Sequence, residues 1–257
     1  MTPRATLVLA PNPSPMTLDG TNTWVLIEPG STEALVVDPG PMHVGHLTAI
    51  LECVKAAGAR VTSIALTHGH PDHAEAAREF SAFTKAPVHA LDPAQRLGSE
   101  GLGDGDVLTV GGLEMRAVAT PGHTGDSLSF LIPADRALLT GDTVLGRGTT
   151  VVAHPDGRLG DYFDSLTCIR RMTESEDVGV ILPGHGPVVS NPRMAVEFYL
   201  THRAARLAQV EAAREAGCRT ASQIVRRVYA DVDPSLWPAA KLSVRAQLDY
   251  LDAKKNG

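Results

Sequence analysis

Aromatic residues make up only 4% of this 257-residue chain. A core must therefore be assembled mainly from Ala, Val, Leu and Ile, and the stacked aromatic platforms that grip single-stranded nucleic acid are not evident. Cysteine is also scarce: Cys53, Cys168 and Cys218 are odd in number, far apart and outside any Cys-x-x-Cys pair. That excludes a disulfide framework and reads as small buried side chains in a reducing compartment, so a cytoplasmic protein is expected. No apolar run approaches the roughly 20 residues of a membrane-spanning helix, and Leu7–Ala10 is cut short by Pro11, so no membrane association is expected. Excess positive charge is missing too, the formal net charge being -6. It is unevenly spread: residues 193–257 hold 11 Lys+Arg against 7 Asp+Glu, a balance of +4, which leaves 12 against 22, or -10, for residues 1–192. An acidic body followed by a mildly basic tail does not suit a protein that coats nucleic acid.

The remaining composition, 43% hydrophobic and 20% charged, is that of a globular chain with room for one large domain and a small appendage. Strands are expected at residues 5–10, 23–28, 34–38, 61–66, 87–90, 107–110, 113–119, 127–132, 137–140 and 178–182. Helices are expected over 43–57, with His43 and His46 solvated at its start, over 74–80, and over 161–174 with Asp161 as cap. Strands first in hairpins and then alternating with helices, in two repeats, suggest two packed sheets flanked by helices. Gly101–Asp106 is Gly-rich but matches neither a dinucleotide fingerprint nor a P-loop. Past residue 192 the pattern becomes helical: 193–216, a segment capped by Thr220, and a third after Pro234 and Pro238. The expected division is a catalytic body over 1–192 and a small helical, winged-helix-like domain over 193–257.

The chemistry centres on Thr67-His68-Gly69-His70-Pro71-Asp72-His73, a strand-to-helix connection rich in ligands that suit Zn and its first-row neighbours. The strand period of two sends His68 and His70 to one side, and Gly69 and Pro71 let the chain bend so that Asp72 and His73 face a neighbouring point. Two pairs aimed at two points suggest two metals. Three further strand ends carry a Gly-flanked polar residue: His123 in Thr120–Gly125, Asp142 in Leu139–Thr143, and His185 in Leu182–Gly186. Glycine there permits a close approach of backbone to an ion.

In order and setting, His68-x-His70-x-Asp72-His73, His123, Asp142 and His185 resemble the motifs of the metallo-beta-lactamase superfamily of hydrolases, over residues from about 20 to 190. The resemblance implies an α/β fold, the αββα sandwich, with the metals at one edge between the sheets. It implies that His68, His70 and His123 hold a first metal, that Asp72, His73 and His185 hold a second, and that Asp142 bridges them. Zn is the expected metal, with Mn or Fe as alternatives. Two ions roughly 3.5–4 Å apart share a water and lower its pKa toward about 7, giving a bridging hydroxide. Asp142 would set their separation, and Asp72 could orient the nucleophile or protonate a leaving group. Thr67, Thr124 and Thr143 are candidates to orient ligands, and Asn22, Arg147 and His154 are candidate substrate contacts.

Departures narrow the reading. Asp142, in place of the Cys of the commonest beta-lactamases, and His73 disfavour beta-lactam hydrolysis; His70, in place of Glu, argues against the flavin-linked diiron branch. Only 42 residues separate Asp142 from His185, too few for the insertion of the nucleic-acid-processing branch. Asn12–Thr23, Gly141–Gly146 and Leu182–Pro187 resemble the beta-lactamase-like subfamily that includes a mitochondrial endoribonuclease and ends in a winged-helix-like domain near a His-Arg pair such as His202-Arg203. The leading expectation is a dinuclear hydrolase of a thioester, ester or lactone. The alternatives are a single-strand endoribonuclease, an iron-dependent persulfide dioxygenase-type enzyme, and a non-catalytic nucleic-acid-binding regulator, the last disfavoured because no ligand is missing. Substrate is a small molecule or single-stranded RNA, and a homodimer is left open.

Overall fold

A computed structural model describes residues 2–175 and 177–256. Two five-stranded sheets pack face to face. The first runs β1 (Ala5–Leu9), β2 (Asn22–Leu26), β3 (Glu33–Val37), β4 (Arg60–Ala65), β5 (Val88–His89) in that spatial order. The second holds β6 (Val107–Val110), β7 (Leu113–Ala119), β8 (Leu128–Ile132), β9 (Ala137–Gly141) and β10 (Val180–Pro183), ordered β10-β9-β8-β7-β6. Both are mixed: hairpin-connected strands pair antiparallel, whereas β3–β4, β4–β5 and β9–β10 are parallel because a helix intervenes in each crossover.

The alternation of side chains sorts the core into layers. Trp24, Leu26, Leu35 and Val37 face Met115, Leu128, Phe130 and Leu139 between the sheets. On the outer face of the first sheet, Val36 and Ile64 meet Ile50 and Val54 of α1 (Val44–Ala56). On the outer face of the second, Leu138 and Ile181 meet Tyr162, Leu166 and Ile169 of α4 (Leu159–Glu174). Each such aliphatic side chain contributes about 1.5–3 kcal/mol by leaving water, so the αββα sandwich is held by three apolar layers with few aromatics in them.

Several local expectations change. The helix expected over 74–80 is two pieces, α2 (Pro71–Ala74) and α3 (Ala77–Thr84). The break falls where the Ala76 amide leaves the helical ladder and donates to Gly40 O at 3.1 Å, a tertiary bond that no local pattern announces. Asp161 does not cap α4; the N-cap is Arg158, without a side-chain bond, and Asp161 lies in the first turn. His46 is not solvated but 2% exposed, its Nε2 2.8 Å from Thr23 Oγ1. The three cysteines are free but only half-buried.

Three helices complete the chain: α5 (Pro192–Glu215), α6 (Ala221–Val228) and α7 (Trp237–Asn256). Thr220 caps α6 as expected, in a reciprocal capping box with Gln223. Val210, Ile224, Val225 and Val244 form a small core of their own. The first half of α5 also belongs to the body, since Val196 and Tyr199 pack into the layer beneath α4. None of the described helices is long and apolar enough to cross a membrane.

Candidate metal centre

All seven predicted ligand residues converge at one edge, where β4, β7, β9 and β10 end. His68, His70 and His123 form one group, Asp72, His73 and His185 a second, and His68, His73 and Asp142 a third that joins them. In the first, His68 Nε2 and His123 Nε2 each lie 3.0 Å from His70 Nδ1. In the second, His73 Nε2 is 3.2 Å from His185 Nε2, and Asp72 Oδ2 is 3.2 Å from His185 Nε2. Asp142 stands between: Oδ1 is 3.3 Å from both His73 Nε2 and His185 Nε2, and Oδ2 is 3.6 Å from His123 Nε2.

Backbone geometry makes the convergence compact. The Thr67 carbonyl accepts from Leu128 N and the Gly184 carbonyl from Asn22 N, stitching the sheets together beside the ligands. A Cβ on Gly184 would lie 2.7 Å from Asp142 Oδ1 and 2.8 Å from His73 Cε1, so only glycine lets β10 pass this close to the centre.

Each buried imidazole is aimed by its far nitrogen. His73 Nδ1 donates to Asp38 Oδ2 at 2.8 Å, His123 Nδ1 to Val151 O at 2.7 Å, and His185 Nδ1 to Gly20 O at 3.1 Å. That leaves Nε2 of all three as the inward lone pair, the tautomer a metal requires. Thr67 Oγ1 lies 3.0 Å from His68 Nδ1 and donates to Asp38 Oδ2 at 2.7 Å, so Thr67 links the His68 ring to Asp38. Thr124 bonds Ser127 instead, and Thr143 reaches only Thr120.

Electrostatics agree with cation binding. Burial works against charge on Asp142, His185, His73 and His68 alike. On Asp142 it is outweighed by the imidazoles led by His73, which hold the carboxyl well below its ordinary range. Burial also opposes a proton on His185, yet Asp142 and Asp72 push it up to about 9, and Asp142 and Asp38 raise His73 in the same way. Burial, helped by the neighbouring imidazoles, lowers His68. Carboxylates that draw protons onto imidazoles in this way attract divalent ions, which would displace those protons on binding. One atom stands out: Asp142 Oδ1 is buried and, although His73 Nε2 and His185 Nε2 lie 3.3 Å away, makes no well-formed hydrogen bond, a cost that a protein tolerates where a cation compensates it. The donor set therefore fits two metal ions.

Matches to known proteins agree with this geometry. Residues 16–185 fit the model of the metallo-beta-lactamase superfamily, and residues 220–254 that of the beta-lactamase associated winged helix domain. The chain belongs to the metallo-beta-lactamase superfamily. It is a hydrolase of that superfamily carrying the associated winged helix domain. It is 32% identical to the beta-lactamase-like protein 2 homolog of Caenorhabditis elegans over 96% of this chain and 83% of that protein. It is 34% identical to an atrochrysone carboxyl ACP thioesterase of Aspergillus fumigatus over 82% of this chain, but spans only 64% of that protein. A metallo-beta-lactamase family protein from Thermus thermophilus shares the fold with a TM-score of 0.81 at 22% identity, over 98% of this chain and 94% of that one.

The three candidate substrate contacts lie elsewhere than on the ligand cluster. Asn22 is 1% exposed and donates its amide to Pro183 O and Gly186 O at 2.9 and 2.8 Å, holding the turn that carries His185. Arg147 pairs with Asp19 at 2.5 and 2.9 Å on the surface. His154 Nδ1 sits 2.7 Å from Asp249 Oδ2 of α7, tying the body to the C-terminal helices. Asp38 is not among the expected residues. It is 2% exposed, follows β3 with φ +52°, and bonds Thr67 N, Thr67 Oγ1 and His73 at once. Its signal is in the sequence: Val37-Asp38-Pro39-Gly40 repeats the pattern of strand end, polar residue and glycine that marks the other sites.

Proposed function

We propose that this protein is a dinuclear metal-dependent hydrolase of a thioester, with Zn as the metal. Support comes from the pairing of His68, His70 and His123 with Asp72, His73 and His185 around the unpartnered Asp142 Oδ1, and from the thioesterase named among its relatives. When bound, two divalent ions supply an activated water and charge stabilisation for a developing oxyanion. The chain's own residues do the rest. Asp142 reaches both groups of ligands and would fix their spacing. His70, the exposed member of the cluster, marks the open face where substrate approaches. Asp72, half-buried with Oδ2 3.2 Å from His185 Nε2, would complete the second group of ligands.

A second reading, single-strand endoribonuclease, draws on the associated winged helix domain and the +4 balance of residues 193–257. It is opposed by the cavity beside His70, of about 530 Å³, whose walls include Asp92, Asp126 and Asp156 and no Lys or Arg. Carboxylates there repel a phosphodiester backbone.

Elemental analysis and paired assays test the reading. Close to two metal ions per chain are expected, together with acyl-thioester hydrolysis that is lost in Asp142→Ala. RNA cleavage without thioester turnover would reverse the ranking, and a mononuclear iron protein would end it.

A further inference from the structure

Two cavities adjoin the metal centre, one lined by His70 and one by the residues that bond His123 Nδ1, and they have opposite sign. The first, beside His70 and Thr124, carries three carboxylates and no cation. The second, of about 300 Å³, is closed by the Pro15–Met16 turn, the segment Thr149–Val151 and the C-terminal helices, and none of its lining residues is acidic. Adjacent turns of α5 supply its basic wall, Arg203 and Arg206, with His202 beside them. Tyr229, Val232, Leu236 and Ala239 supply an apolar one.

This cavity shares residues with the support of the metal centre. Thr150 and Val151, which line it, are the residues that hold His123: Val151 O accepts from His123 Nδ1 at 2.7 Å and Thr150 Oγ1 lies 3.3 Å from the same nitrogen. Arg203 is 6% exposed, donates through Nη2 to Thr150 O, and stacks over the Tyr162 ring at 5.2 Å. Its Nε is buried with no partner, as is His202 Nδ1. Arg206 is held in place by Val228 O at 2.7 Å and by the Tyr229 ring at 4.4 Å, and no carboxylate among the lining residues neutralises it there. Two guanidinium groups thus line the cavity without a counter-charge, an arrangement whose cost a bound anion removes.

We propose that this cavity binds an oxyanion carried on an apolar arm of the substrate, and that Arg203 and Arg206 make the enzyme select acidic thioesters. The inference rests on the thioesterase reading for its substrate, but not for the binding itself. Two sources share the required chemistry: a carboxylate at the end of the acyl chain, or a phosphate on the thiol part. The basic wall lies behind His123 while the acidic cavity opens beside His70, so the proposal directs the anionic end of the substrate toward α5.

Matched pairs separate the sources. Glutaryl- and valeryl-pantetheine differ by an acyl carboxylate; valeryl-phosphopantetheine and valeryl-pantetheine differ by a thiol-side phosphate. The expected result is a KM about tenfold lower for one anionic partner, from a charge-assisted contact, with kcat little changed. Arg206→Gln should erase that preference, and Ala239→Phe, which fills the cavity and keeps the charge, should erase it while raising KM for the neutral and anionic partners alike. Binding is measured apart from turnover by calorimetry on the metal-loaded full chain, using the S-methyl thioethers of pantetheine and phosphopantetheine and S-pentyl-pantetheine with and without a terminal carboxylate. If no anionic ligand of either pair binds more tightly than its neutral partner, or if the preference survives both Arg206→Gln and Ala239→Phe, the cavity proposal falls whatever the assays show. Selective binding without hydrolysis of any thioester would uphold the cavity and overturn the thioesterase reading.

Discussion

Replacing Asp38 by Asn tests the architecture of the metal centre at a residue that is not itself among its ligands. Asn tolerates the left-handed backbone that Asp38 adopts at φ +52°, and it matches Asp in shape, so the fold should persist. The carboxylate accepts from Thr67 N at 2.8 Å, Thr67 Oγ1 at 2.7 Å and His73 Nδ1 at 2.8 Å. An amide has one oxygen for these three donors. If its NH2 replaces Oδ1 it opposes the Thr67 N–H; if it replaces Oδ2 it opposes the His73 Nδ1 proton. The second arrangement is relieved only by moving that proton to Nε2, which removes the lone pair aimed at the Asp72–His185 group. The lost charge-assisted bond is worth about 1.5–3 kcal/mol, and disrupted outer hydrogen bonds of this kind weaken metal binding about 10–100-fold. Titration of the metal-free protein against a chromophoric chelator should therefore show the ion at Asp72, His73 and His185 weakened by that factor, and the ion at His68, His70 and His123, which Asp38 reaches only through Thr67, weakened less. Unchanged affinity for both ions, or equal weakening of both, would refute the assignment of Asp38 to His73.

Three further outcomes are expected. Gly184→Ala places a Cβ within 2.7–2.8 Å of Asp142 Oδ1 and His73 Cε1, so it should lower metal affinity by at least about tenfold; retention of two tightly bound ions would show that β10 can retreat without cost. Arg203→Met removes the buried bond to Thr150 O and the stacking on Tyr162, and should cost about 1–3 kcal/mol in urea unfolding; a loss under about 0.5 kcal/mol would mean the contact contributes only geometry. Burial, with a smaller contribution from His43, lowers His46 to about 4. Because that pKa is depressed in the folded state, its stabilising contribution is complete above pH 6.5 and drains away as pH falls toward 4. His46→Gln should therefore lose about 1 to 2 kcal/mol less than the wild type over that interval, once residual solvent screening is allowed for. Parallel stability curves would show that His46 is free to protonate in the fold.

The linear pattern exposes the clustered His and Asp residues because their chemistry is local. A strand end, a turn with glycine and a polar residue are encoded within a few consecutive positions, and this signature marks His68, His70, Asp72, His73, His123, Asp142 and His185 one site at a time. Asp38 carries the same signature but does not stand out, since a lone aspartate before Pro-Gly is also an ordinary turn. What aims His123 and His185 is backbone carbonyl, at Val151 and Gly20, and a carbonyl has no residue type to read. Asn22, Arg147 and His154 illustrate the opposite difficulty. Their polar groups fit a cleft by type, yet Pro183, Asp19 and Asp249, far away along the chain, are their actual partners.

The division between sequence and tertiary structure follows range. By itself the sequence determined the alternation that builds two sheets, the cap at Thr220, and the seven His and Asp residues that the structure gathers, because each depends on side-chain type at short spacing; the αββα class came from the family resemblance that those motifs carry. Only the tertiary structure decided that His46 is buried, that the helix after His73 breaks at Ala76 to bond Gly40, and that Asp38 governs the His73 tautomer. It alone decided that a basic cavity lies behind His123 and an acidic one beside His70. Those features arise where segments far apart along the chain meet in a low-dielectric interior, and there a group's partner, not its identity, sets its charge and its role.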